Sequence, residues 1–72
     1  MAKDKIELIR EVVETRQAVV LENILVDLTS AQMIIQVYDH LNDMNKATMR
    51  KMSIKKIGEI SFKLFNKYGK IG

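Results

Sequence analysis

Residues 17–28 read QAVVLENILVDL, and the fold depends on whether this stretch bends or runs straight. Two apolar triplets, Val19-Val20-Leu21 and Ile24-Leu25-Val26, flank Glu22-Asn23. β-Branched side chains favour strands. Asn tolerates the left-handed backbone that a tight turn needs. The stretch therefore reads as two short strands, about 18–21 and 24–27, joined at Glu22-Asn23. The competing reading carries the preceding helix straight through the segment, and the hairpin is preferred. Two strands alone are marginal in water, so the hairpin must pack on helices.

Helical patterns lie on both sides of it. In residues 3–16, KDKIELIREVVETR, Ile6, Ile9, Val12 and Val13 recur at helical spacing. Glu7, Arg10, Glu11 and Glu14 fall mostly opposite, which makes the segment amphipathic. After the hairpin, Thr29 or Ser30 is suited to cap a second helix over residues 30–43. Its apolar face is wide: Ala31, Met33, Ile34, Ile35, Val37, Tyr38 and Leu41 share one arc, enough for two neighbours. A short helix follows, begun by Asn45, with Met49 and Met52 facing inward. Ser53 then caps a last helix over about 54–68. Ile54, Ile57, Ile60, Phe62, Leu64, Phe65 and Tyr68 fill its apolar arc, which also holds Gly58 and Ser61. A helical Gly costs about 0.8–1 kcal/mol relative to Ala, so another element is expected close to the backbone at Gly58. Gly69 is placed to end the helix. The fold expected is mainly α: one domain over residues 1–72, a small bundle of three to four helices, with the short β-hairpin near residues 18–27 making it α+β.

Size limits what such a bundle can do alone. At 72 residues a domain buries only about 60% of the surface its unfolded chain exposes. Small domains of this kind often add disulfides, a metal or a partner subunit. There is no Cys, and His40 is the single His, so oligomerisation is the staple that remains. Met44, Met49 and Met52 suit either adaptable binding surfaces or irregular core gaps, and core packing is preferred. No apolar run approaches the roughly 20 residues of a membrane helix. The first residues, MAKDKIELIR, are charged from the third and carry no signal-peptide core. A cytoplasmic protein is expected, with no membrane partner.

The charge is unevenly divided. Residues 1–43 carry four basic and eight acidic side chains, a net −4, whereas residues 44–72 carry eight basic side chains and only Glu59, a net +7. Such asymmetry bears on partners. The halves can attract each other within the fold or pair head to tail between copies. The basic half can also bind nucleic acid. The densest stretch is NKATMRKMSIKK, residues 45–56, with five cations and no acid. Arg50, Lys51, Lys55 and Lys56 bracket the capping Ser53. A helix N-terminus favours acids and its free N–H groups bind anions, yet the first turn here holds Lys55 and Lys56. These five residues are the candidate anion or nucleic-acid contact. The simpler account is that Lys55, Lys56, Lys63, Lys67 and Lys70 occupy the arc that the apolar residues leave to solvent. Phe62, Phe65 and Tyr68 belong to the apolar arc on this reading and are not expected to stack bases.

Catalytic chemistry is missing. An enzyme needs a convergent nucleophile, base and charge stabiliser, or a metal. No Gly-rich phosphate loop occurs, because the glycines are Gly58, Gly69 and Gly72. His40 with Asp43 makes at most two ligands, and zinc takes three or four. Glu7, Glu11 and Glu14 read as a solvated face. Neither a cofactor nor a small-molecule substrate is expected.

Residues 26–65 carry VD before a Thr/Ser-Ala helix start, VYDHLN within the helix, NK after it and KIGEISFKL near the end. This pattern resembles small proteins encoded by tailed bacteriophages. In those proteins the preceding segment resembles a hairpin with Asn-Gly or Asp-Gly at its tip, where this chain has Glu22-Asn23. The resemblance implies a phage-like origin and nothing about activity. The expectation is a non-enzymatic protein-interaction or assembly module, a homo-oligomer or bound to a protein partner, in the host cytoplasm or the virion. The alternative is a nucleic-acid-binding protein using residues 44–72.

Overall fold

The computed structural model describes residues 4–68. The chain forms α1 (Lys5–Thr15), β1 (Val19–Leu21), β2 (Ile24–Val26), α2 (Leu28–Asp39), α3 (Asp43–Arg50) and α4 (Ile54–Tyr68). It is a small helical bundle with one antiparallel hairpin, as the patterning implies. Val19 faces Val26, Val20 faces Leu25 and Leu21 faces Ile24. Glu22 and Asn23 both take positive φ, 51° and 63°, as a two-residue type I′ turn requires. The bend thus forms where it is expected, and without glycine.

α2 is the central element and packs against both α1 and α4. Its wide apolar face is used as its width suggests: Ala31, Ile34, Ile35, Val37 and Tyr38 are buried. α1 contributes Ile6, Ile9 and Val12, β2 contributes Val26, and Met49, Ile54 and Ile57 complete the core. Fully burying one such side chain stabilises by about 1.5–3 kcal/mol. Met49 and Met52 do pack inward, whereas Met44 is 78% exposed and fills no gap.

Several boundaries shift for local reasons. α2 is capped by Asp27, whose Oδ1 accepts the Ser30 N–H at 2.8 Å, and not by Thr29 or Ser30. A carboxylate suits the positive end of the helix better than a hydroxyl. α2 ends at Asp39 and not at residue 43. Asn42 then caps α3, accepting the Asn45 N–H at 2.8 Å, so Asn45 is the third helical residue and not the first. α1 is capped by Asp4 and stops at Arg16, which sits at φ 61° and donates its N–H to the Val12 carbonyl. α4 starts as expected: Ser53 Oγ accepts the Lys56 N–H at 3.2 Å. The stop assigned to Gly69 lies outside the described residues.

α4 departs from expectation on its apolar arc. A Cβ built on Gly58 would meet nothing within 4 Å, so no element among the described residues packs closely there. Ser61 is fully buried with its Oγ unpartnered. Phe62 is 57% exposed and leaves the arc assigned to it. An arc drawn broadly enough to hold Phe62 spans more of α4 than α2 covers.

Candidate functional site

The five candidate residues all lie at the α3–α4 junction, but they do not converge on one point. Arg50 ends α3. Its guanidinium lies over the Tyr38 ring, 5.6 Å from the centroid, and its Nε is 3.9 Å from Asp4 Oδ2. Lys46 lies over the same ring at 5.5 Å. Lys51 caps the end of α3 and is exposed. Ser53 caps α4, and Lys55 and Lys56 are exposed in its first turn.

The anion site expected at this helix start is already taken from within the molecule. Glu22, at the hairpin tip, accepts the Ile54 N–H through Oε1 at 3.1 Å. Its Oε2 lies 2.6 Å from Lys5 Nζ, and Lys5 Nζ also donates to the Met52 carbonyl at 2.6 Å. The Lys5 bond first, and the Ile54 N–H second, hold the Glu22 carboxyl below its ordinary range, so it is charged at neutral pH. The acid missing from the first turn of α4 is therefore supplied from 32 residues away. This explains why a residue as ill-suited to positive φ as Glu occupies the tip. Asn or Gly would relax the backbone but could not reach Ile54 and Lys5 together.

The two halves do not neutralise each other. Lys5–Glu22 and Arg10–Asp39 each join two residues of the acidic half. Arg10 grips Asp39 at 2.8 and 3.4 Å, and this bond lowers the Asp39 carboxyl and raises the guanidinium. Arg50–Asp4 crosses between halves only at 3.9 Å. Lys51, Lys55, Lys56 and Lys63 have no ion-pair partner among the described residues. The surplus charge of the C-terminal half stays on the surface.

Apolar surface is the other open feature. Val20 is 62% and Leu25 64% exposed. They face each other across the hairpin on the side away from buried Val26. Reasoning from sequence missed this pair, although strict alternation in VVL and ILV placed one residue of each triplet outward.

Other chemistry is sparse. His40 is exposed, and its Nδ1 lies 2.7 Å from the Gln36 carbonyl oxygen. No group of three or more His, Asp or Glu able to hold a metal occurs among the described residues. No helix among them is long and apolar enough to cross a membrane. An open depression between α1 and β1, lined by Leu8, Glu11, Val12, Thr15, Ala18 and Val19, holds about 190 Å³. That is below the roughly 300–1,000 Å³ of a ligand pocket. Comparison with known protein families, curated proteins and solved structures found no match.

Proposed function

We propose that the chain is a non-enzymatic protein-interaction module that assembles with a second copy through the outer face of its hairpin. The Val20–Leu25 pair carries this reading. Two aliphatic side chains sit side by side, both more than 60% exposed, on a sheet of only two strands among the described residues. Covering each would gain up to about 1.5–3 kcal/mol. A chain of 72 residues without Cys has few other staples available to it. The non-enzymatic part rests on the residue inventory: no cysteine, and one histidine whose Nδ1 is engaged by the Gln36 carbonyl. The resemblance of residues 26–65 to small tailed-phage proteins supports a phage-like origin, and with it the host cytoplasm or the virion as the setting in which the module assembles.

Light scattering after gel filtration tests the assembly. The parent chain should run as an oligomer at micromolar concentration. Val20→Thr with Leu25→Thr should run as a folded monomer, because Thr keeps β propensity and removes apolar surface. A parent chain that stays monomeric at several hundred micromolar overturns self-assembly and leaves a different protein as the occupant of the hairpin face.

A second reading, nucleic-acid binding by the C-terminal half, is favoured by one observation: Lys51, Lys55, Lys56 and Lys63 stand unpaired among the described residues. Retention of the parent chain on immobilised DNA or RNA at low salt tests it. Failure to bind either one overturns it.

A further inference from the structure

At the start of α4 the Ile54 N–H is already held by Glu22 and the Lys56 N–H by Ser53, so the backbone there offers a polyanion little. The outer face of α4 offers it a place. At 3.6 residues per turn, Lys55, Phe62 and Asn66 fall on one stripe of α4, at i, i+7 and i+11. Lys56 and Lys63 fall on a second stripe beside it, with Glu59 between. All six side chains are exposed. Lys55, Lys56 and Lys63 pair with no acid among the described residues. Phe62 is 57% exposed, while Phe65, one turn on, is half-buried.

We propose that this face of α4 binds single-stranded nucleic acid, with Lys56 and Lys63 on backbone phosphates about three nucleotides apart and Phe62 stacking a base. The inference rests on the nucleic-acid reading and moves its site from the start of α4 to its middle. An exposed phenyl ring on a face that also carries Lys55, Lys56 and Lys63 is a poor seat for an apolar protein surface, since covering that face would desolvate the cations. A base and its phosphate match both at once: the base offers a flat π-face and the phosphate an anion. The geometry also fits. Lys56 and Lys63 are seven residues apart, about 10.5 Å along the axis, the length of about three stacked nucleotides at 3.4 Å each. Glu59 keeps phosphates off the line between the stripes, which leaves the lysine stripe to the backbone and the Phe62 stripe to the base. Asn66 offers both a donor and an acceptor to a base edge beyond the ring. Exposed single lysines hold a backbone in any sequence, so the expected binding is sequence-tolerant.

Fluorescence anisotropy of the full chain with a labelled oligo-dT of about 20 nucleotides, at about 50 mM salt, tests the inference. A duplex of equal length and vesicles of phosphatidylglycerol in phosphatidylcholine serve as competing ligands. The single strand should bind best and should weaken steeply with salt. Phe62→Ser should weaken it about tenfold or more. Phe62→Tyr should bind like the parent, and Phe62→Leu, which keeps apolar bulk without a π-face, should bind like Phe62→Ser. Lys56→Gln with Lys63→Gln should lower the salt slope by about 1–2. Circular dichroism melts confirm that each variant is folded. A parent chain that does not bind overturns both the nucleic-acid reading and the inference. Salt-dependent binding unaffected by Phe62→Ser overturns only the inference. Preference for the duplex or the vesicles overturns it as well.

Discussion

α1 and α4 both pack on α2, yet they are finished very differently. α1 is an economical helix. Asp4 caps it, Ile6, Ile9 and Val12 are buried, and its polar residues face water. α4 breaks three ordinary rules on its own surface. Gly58 sits mid-helix with open space where a side chain could go, Ser61 is buried with no partner, and Phe62 is exposed. Places where local choices disagree with stability are where other demands act. The contrast assigns α1 to holding the fold and leaves α4 with surface the fold does not use.

The largest test of this contrast is Ile9→Ala. Ile9 is fully buried, so its loss should cost about 2–5 kcal/mol by urea unfolding. A cost below 1 kcal/mol would remove α1 from its structural role. Acidification comes next, because several carboxylates act together. Glu22, Asp27 and Asp39 all titrate below their ordinary values. Each folded-state pKa is depressed, so its contribution is present above the unfolded value and is lost as pH falls through the folded one. Melting temperature should therefore hold level near neutrality and drop below about pH 4. Glu22→Gln should flatten part of that drop, and an unchanged profile would remove Glu22 from the account.

The larger gains should appear in α4. Gly58→Ala adds a Cβ into open space and should stabilise by about 0.8–1 kcal/mol. Ser61→Ala removes a buried unsatisfied hydroxyl and should stabilise by about 1 kcal/mol or more. In a chain this short each kcal/mol corresponds to a rise in Tm of about 4–8 °C. If either variant melts lower than the parent, α4 is not the unfinished helix it is taken for. The smallest effect belongs to α1. Arg16→Gly relieves one left-handed residue and should stabilise by less than about 1 kcal/mol, read in the same melts.

Local features were legible in the chain and long-range ones were not. The hairpin followed from two β-rich triplets around a turn-tolerant pair, and Ser53 was recognisable because it precedes a fresh apolar period. The caps at Asp27 and Asn42 were displaced by two or three residues, since Ser, Thr, Asn and Asp crowd both junctions and any of them can serve. Glu22 was placed at the tip, but its bond to Ile54 spans 32 residues and leaves no trace in local spacing. The lysines of the α4 first turn stood out in the sequence, but the acid that complements this helix start did not. Glu22 supplies it at the Ile54 N–H and leaves Lys55 and Lys56 exposed. Phe62 was misassigned for a different reason. A helical projection shows which residues share a side, but not how far round a neighbour reaches.

The Glu22–Ile54 bond also has a kinetic meaning. Lys56 N–H is held by Ser53, three residues away, so its protection from hydrogen exchange can arise as soon as α4 forms. Ile54 N–H is held only when the hairpin tip has arrived at the start of α4, which requires closing a long loop. Two amides in the first turn of one helix thus report different events, the first local and the second the completion of the whole chain.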